Sequence, residues 1–325
     1  MLQLEAMRGI QPRANPAFHR FLCELVWRMD YWKGRRTRIV VEGEEHVPTD
    51  ERVVFAMNHT DRFNFCPLLI WLHQRGRYCG TWVKGKYYES AFIAGIMQAA
   101  NQIPIPSWSY LLASRFRAAV GRRPSSDELG ALLALADGVP AEGGPQMPPE
   151  TLAQVRAAFG GDALSDAVPA LYAAMMGEVV RLNTAALEAG LDLLVFPEGT
   201  RSRKLSRGRP GMVQIAGHLG LTIVPVGCNG SDLLYPGDAP LSKGGTVTLR
   251  FGAPLRWDQE PLSGLRVDVP YQPLGREDSR RHAQRFQAQT DAVLARIAQL
   301  LDARHLPDGA SPGESDGVKG VQRFI

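Results

Sequence analysis

An α/β domain built on a mixed, largely parallel sheet with helices on both faces is predicted by three observations. Strand-like and helix-like runs alternate from residue 38 onward, the run LTIVPVGC is apolar enough to be a buried strand, and the helical runs are closed by glycines such as Gly76 and Gly190. The chain has 325 residues and is 45% hydrophobic, enough for a substantial core.

The elements follow in order. Residues 17–32 place Phe18, Phe21, Leu22, Leu25, Val26 and Met29 on one helical face, with the basic stretch KGRRTR directly after. Residues 1–37 are therefore expected to hold an amphipathic helix, either interfacial or packed on the domain, with Trp27 and Trp32 suited to a headgroup region. RIVVEG and RVVFAM read as two strands around a Pro-containing turn. FCPLLIWLHQRG reads as a helix with Pro67 in its first turn, GTWVKGKYY as a strand and its loop, AFIAGIMQAAN as a short buried helix, and QIPIP as a strand.

Residues from about 107 to 170 change character. Five Gly and five Pro fall among the thirty residues from 121 to 150, which predicts an insertion, part helix and part loop. LYAAMMGEVVRLNTAALEAG then reads as a helix, LDLLVF as a strand, GMVQIAGHLG as a helix, and GTVTLRFGAPL as a late strand with its turn. REDSRRHAQRFQAQTDAVLARIAQLLDARH reads as one long amphipathic helix. The domain proper is taken as 38–305 and the remainder, 306–325, as a disordered tail.

Composition excludes several classes. A net charge of +4, from 37 basic and 33 acidic residues, is too small for a whole-molecule field that would attract nucleic acid. Cys23, Cys66, Cys79 and Cys228 are scattered without metal or redox spacing and read as core thiols of a reducing compartment. No apolar run approaches the ~18 residues of a membrane span, and no signal-peptide pattern opens the chain. The expected location is cytoplasmic, peripheral on the cytosolic face of a membrane.

Two strings carry chemistry. In NHTDRFN, His59 stands where a strand opens into a helix, the rim at which open α/β sheets keep their ligands and a suitable place for a proton-transfer group. In FPEGTRSR, again after a strand, Pro197 ends the strand, Gly199 permits close approach of a ligand, and Thr200, Arg201 and Arg203 offer donors to phosphate oxygens. Lys204, Arg207 and Arg209 prolong this basic loop. A metal-dependent hydrolase is disfavoured, since only His59 and Asp61 cluster as potential ligands.

Asn58-His59 after one strand, with Phe196-Pro197-Glu198-Gly199-Thr200-Arg201-Ser202 after a later one, resembles the PlsC-like family of glycerophosphate and lysophosphatidic acid acyltransferases. Weaker likenesses are Ile103-Pro104-Ile105 and Ile223-Val224-Pro225-Val226, and the resemblance spans about 38–106 and 171–255. It implies a glycerol-3-phosphate acyltransferase-like α/β fold and direct acyl transfer from acyl-CoA or acyl carrier protein, without a cofactor. The implied acceptor is a lysophospholipid such as 1-acylglycerol 3-phosphate. His59 would be the base; Asn58, Glu198, Gly199, Thr200, Arg201, Ser202 and Lys84 would bind substrate.

Three positions depart from the family pattern. Asn64 stands where the family has an Asp that orients the imidazole, with Asp61 as a nearby carboxylate that could supply the charge. Asn101 stands at a usual Gly, and Ser107 at a phosphate-holding Arg whose work Arg115, Arg117 or Arg122 would have to take over. These departures keep open a non-phosphorylated or amine acceptor, and a catalytically silent lipid- or acyl-carrier-binding homologue.

Overall fold

The computed structural model describes residues 2–27, 31, 37–137, 147–158, 164–237 and 241–308. Its strands are β1 (Thr37–Glu42), β2 (Val53–Met57), β3 (Cys79–Lys84), β4 (Gln102–Ile105), β5 (Asp192–Val195), β6 (Thr222–Asn229) and β7 (Gly245–Phe251). They form a seven-stranded sheet in the order β1-β7-β6-β2-β5-β3-β4. Parallel registers join β1 to β7, β2 to β5 and β6, and β3 to β5, while β6 and β7 are antiparallel, which makes the sheet mixed and mostly parallel.

β1 and β2 are consecutive in sequence but are not neighbours, because β7 and β6 lie between them. Every residue of β2 is buried, and a strand with that pattern belongs in the middle of a parallel sheet covered on both faces. Alternation along β2 shows the two coverings. Val53, Phe55 and Met57 join one cluster with Cys66, Leu68, Leu69 and Leu72 of the helix Cys66–His73. Val54 and Ala56 point the other way and are equally buried, on the side where the helix Ala283–Ala298 meets β2 and β6.

The chain divides into two compact units, of which the larger comprises residues 12–82, 99–101 and 183–325, and the smaller 1–11, 83–98 and 102–182. In the larger unit the N-terminal amphipathic segment is an α-helix over Ala17–Phe21 continued by a π-helical turn over Leu22–Trp27. Leu22 packs on the core, whereas Phe21 and Leu25 are each half exposed. Met29, Trp32 and most of KGRRTR lie outside the described residues. The expected long C-terminal helix is two, Arg276–Arg281 and Ala283–Ala298, broken at His282, whose backbone leaves the helical region. Residues 299–308 then turn back over the domain, and 309–325 of the expected tail lie outside the described residues.

In the smaller unit the insertion is more helical than its Gly and Pro content suggests, with helices Trp108–Val120, Ser126–Ala136 and Pro149–Ala158 ahead of Leu164–Glu188. The Gly- and Pro-rich part, 138–146, lies outside the described residues. Leu111, Leu112, Phe116, Leu132 and Val155 supply the core between these helices. The helix Ala91–Ala99, expected to be buried, has no buried residue, and Phe92 is 76% exposed. An uncharged, apolar helix is thus not necessarily a buried one. Among the described residues no helix is long and apolar enough to cross a membrane.

Candidate active site

β2 and β5 are adjacent and parallel, with Ala56 in register with Val195, so both strands end on the same edge of the sheet. The two strings of interest, each beginning just past its strand, are thereby brought side by side at the carboxyl ends, where such sheets place ligands. Two backbone hydrogen bonds then lock them together, and two more close the second string on itself. The His59 N–H donates to Glu198 Oε1 at 2.9 Å, and the Ser202 N–H donates to the His59 carbonyl at 2.7 Å. From the far end of the loop, the Ser206 N–H and hydroxyl both donate to Glu198 Oε2 at 2.8 Å.

The half-buried His59 ring stacks on Phe196, with centroids 4.0 Å apart and planes 19° from parallel. Its Nδ1 is 2.9 Å from Asn64 Oδ1. The amide of Asn64 has its orientation dictated, because its Nδ2 donates to the Asn58 carbonyl at 2.6 Å and a carbonyl can only accept. Oδ1 therefore faces the imidazole, Nδ1 must carry the proton, and the lone pair of the neutral ring sits on Nε2. Asn64 is itself fully buried, and Cys228 Sγ donates to its carbonyl at 3.5 Å.

Asp61 does not orient this ring, contrary to the expectation that it could stand in for the absent carboxylate. It is buried, and its oxygens accept from the Thr60 hydroxyl at 2.9 Å and the Phe63 N–H at 2.8 Å. Burial raises its pKa, with those two hydrogen bonds opposing.

Several residues expected to touch substrate are instead scaffold. Asn58 spends its amide on β6, donating to the Cys228 carbonyl at 3.0 Å and accepting from the Cys228 N–H at 2.7 Å. Glu198 is 2% exposed and turned into the loop; burial pushes its carboxyl up to about 7, against the pull of the three donors around it. Ser202 is equally buried, its hydroxyl donating to the Lys204 carbonyl at 2.6 Å. Lys84 ends β3 as an exposed residue of the smaller unit.

Gly199, Thr200 and Arg201 are the part of the string that faces outward. Gly199 has φ of +66°, which a side chain would strain, and its N–H closes the turn onto the Phe196 carbonyl at 3.0 Å. The Arg209 side chain passes over this glycine, where a Cβ would lie 3.5 Å from Arg209 Cγ. Among the described residues no carboxylate pairs with Arg201, Arg203 or Arg209. A glycine turn bordered by three such cations suits an anion. Gly208 serves packing: a Cβ there would stand 2.5 Å from Thr290 Cγ2, so the loop can lie on the helix Ala283–Ala298 only with glycine at that place.

Two departures from the family pattern have local explanations. Asn101 has φ of +52°, the left-handed region that Asn tolerates and Gly favours, and its side chain accepts from the Arg13 N–H at 3.0 Å and donates to the Arg13 carbonyl at 2.8 Å. Ser107 caps the helix Trp108–Val120, accepting from the Tyr110 N–H at 3.2 Å. Of the three arginines considered as substitutes, Arg122 is held by both oxygens of Glu128 at 2.7 and 2.6 Å, and Arg117 pairs with Glu89 at 3.7 Å. Arg115 lines a small cavity of about 120 Å³ beside Val168 and Leu171.

What fold and site define together is an α/β protein of the acyltransferase class, and the family model described as Acyltransferase matches residues 169–229. That stretch takes in β5, the FPEGTRS string and β6; His59 lies outside it. That match supports the PlsC-like resemblance carried by the NHTDRFN and FPEGTRS strings. No curated protein matches it. Among solved structures it is similar to the crystal structure of the 1-acyl-sn-glycerophosphate (LPA) acyltransferase, PlsC, from Thermotoga maritima. The two are 15% identical, with 86% of this chain and 80% of that chain covered and a TM-score of 0.41.

Proposed function

We propose that this acyltransferase moves a fatty acyl group from acyl-CoA or acyl carrier protein onto the hydroxyl of a lysophospholipid such as 1-acylglycerol 3-phosphate, in phospholipid biosynthesis. One observation carries the reading: His59 and the FPEGTRS loop are bonded to each other on one edge of the sheet through Glu198 and Ser202.

With Nδ1–H committed to Asn64, His59 Nε2 is the atom that takes the acceptor's hydroxyl proton. The freed oxygen attacks the thioester carbonyl, the C–S bond breaks as the tetrahedral intermediate collapses, and the imidazolium returns the proton to the departing thiolate. No acyl-enzyme forms and no cofactor is consumed. Arg201, with Thr200 and Arg209, would hold the acceptor's phosphate and so set its hydroxyl against the base. Peripheral contact with the cytosolic face of a membrane accompanies this reading, supported by half-exposed Phe21 and Leu25 in the larger unit and by Phe92 in the smaller.

The test is mass spectrometry of lipids after incubating the protein with lysophosphatidic acid, other lysophospholipids, a non-phosphorylated monoacylglycerol and an isotope-labelled acyl thioester. Diacyl product from the phosphorylated acceptor is expected. Transfer to the monoacylglycerol alone would replace the acceptor assignment, and no transfer to any acceptor would leave only a lipid-binding role.

A further inference from the structure

The segment after the helix Ala283–Ala298 is tied down at successive points. Asn229, the last residue of β6, donates to the Leu300 carbonyl at 3.0 Å and accepts from the Asp302 N–H at 2.8 Å. Arg250 adds bonds to the Leu300 carbonyl at 3.1 Å and the Asp302 carboxylate at 2.7 Å. Residues Ala303–His305 then form a 3-10 turn whose Arg304 pairs with the buried Asp232 at 2.5 Å.

His305, 1% exposed, reaches the basic loop. Its Nδ1 lies 2.7 Å from the Arg203 carbonyl, and its own carbonyl accepts from the Leu205 N–H at 2.7 Å. A carbonyl only accepts, so Nδ1 is the protonated nitrogen, and Nε2 is left facing Asp232 Oδ1 at 3.7 Å. The two bonds grip the backbone on either side of Lys204, whose ammonium pairs with Asp308 of the same segment. No other bond from outside the loop holds the backbone of residues 203–205 among the described residues. Glu198 and Ser202 anchor the loop's ends to each other and to His59, and the Ser202 hydroxyl on the Lys204 carbonyl is a bond within the loop, so among the described residues only His305 ties the backbone of its middle to the rest of the domain.

We propose that His305 is a positioning residue for the candidate phosphate loop: its buried imidazole, with its backbone carbonyl, holds Arg203 to Leu205 so that the cations of residues 201–209 present a preset anion site. The inference rests on the acyl-transfer reading only for its kinetic consequence.

The test compares the full chain with His305→Ala, His305→Asn and His305→Gln. An Asn amide nitrogen falls near the place of Nδ1 and can donate to the Arg203 carbonyl, whereas a Gln amide nitrogen falls near Nε2 and cannot. Under native conditions trypsin is expected to cut after Arg203 and Lys204 about tenfold faster in the Ala and Gln variants, the loss of one buried hydrogen bond, with Asn near the wild-type rate. In lipid assays KM for the phosphorylated acceptor should rise by about the same factor in Ala and Gln, with kcat within about twofold and Asn again near wild type. Should His305→Ala fail to fold, the Asn–Gln pair alone decides.

Equal behaviour of Asn and Gln, or unchanged cleavage in both, overturns the proposal, as does a fall in kcat at constant KM. If wild-type protein transfers no acyl group to phosphorylated acceptors, the functional reading fails by itself, and trypsin still decides the clamp.

Discussion

Asn64 Oδ1 lies 2.9 Å from His59 Nδ1 while the same amide donates to the Asn58 carbonyl at 2.6 Å, so one side chain serves the ring and the backbone at once. A carboxylate could serve only the ring. In Asn64→Asp one oxygen would face a carbonyl with no proton between them, at a fully buried position. We expect this variant to lose about 1–3 kcal/mol of stability at neutral pH by urea denaturation, the cost of the broken buried pair, and to fall in turnover as the ring loses its support. Higher turnover at undiminished stability would show that the pocket accepts the charge and that Asn64 is merely a weaker orienting group.

His59→Ala should abolish acyl transfer, by about 10²- to 10⁴-fold, without unfolding the protein. The ring is stacked on Phe196 and half-buried, but the bonds that hold the loops belong to the His59 backbone and survive the substitution. Circular dichroism melting and product mass spectrometry on one preparation separate the two effects. Retained transfer would remove His59 from the chemistry.

Glu198 links stability to pH. Its pKa rises from about 4.5 unfolded to about 7 folded, burial outweighing the donors, so between those values the native state binds the extra proton. Unfolding free energy should therefore fall as pH rises through this window and level off above it, by up to about 3 kcal/mol from this group alone. Subtracting the Glu198→Gln profile from the wild-type profile, each from urea denaturation between pH 4 and 8.5, isolates the contribution. A difference that rises with pH would mean that the donors hold the carboxylate ionised.

The extent to which this site was legible in sequence follows from what a local string can encode. NHTDRFN and FPEGTRS declare themselves because each combines a strand end with reactive side chains, and the strand register brings Ala56 beside Val195 to make them neighbours. Side-chain direction was not legible. Glu198, Ser202 and Asn58 resemble binding residues in the string but spend their polar atoms on Ser206, Lys204 and Cys228, partners 8, 2 and 170 positions away. The stacking of Phe196 on His59 and the passage of Arg209 over Gly199 are hidden for the converse reason, since both arise only once the loop closes. Sheet order was hidden too: nothing local to β1 and β2 shows that β7 and β6 come between them.

Arg201→Ala and Arg209→Ala should each raise KM for a phosphorylated acceptor by about tenfold to a hundredfold at nearly constant kcat, the weight of one charge-assisted hydrogen bond of about 1.5–3 kcal/mol. Neither should alter KM for an acceptor without phosphate. The substitutions remove no carboxylate's partner among the described residues, so melting temperature should hold. A loss in kcat at constant KM would move these arginines from ground-state binding to transition-state stabilisation.

The site's edge of the sheet also depends on an ion pair at the opposite end of β5. Asp192, fully buried, accepts from Arg77 at 2.8 and 2.6 Å and from the Val53 N–H at 3.0 Å, joining β5 to the start of β2. Arg77 also donates to the Pro48 carbonyl at 2.5 Å and the Glu51 carbonyl at 3.3 Å, closing the turn before β2. Arg77→Met removes the cation and leaves a buried carboxylate with one backbone donor, a change that costs about 3–5 kcal/mol. The double variant Arg77→Met, Asp192→Asn removes both charges and should recover part of that loss, because much of the penalty belongs to the stranded carboxylate. Urea denaturation of the wild type, both single variants and the double variant gives the coupling directly. Additive losses would mean that Arg77 acts through its bonds to the turn, independently of Asp192.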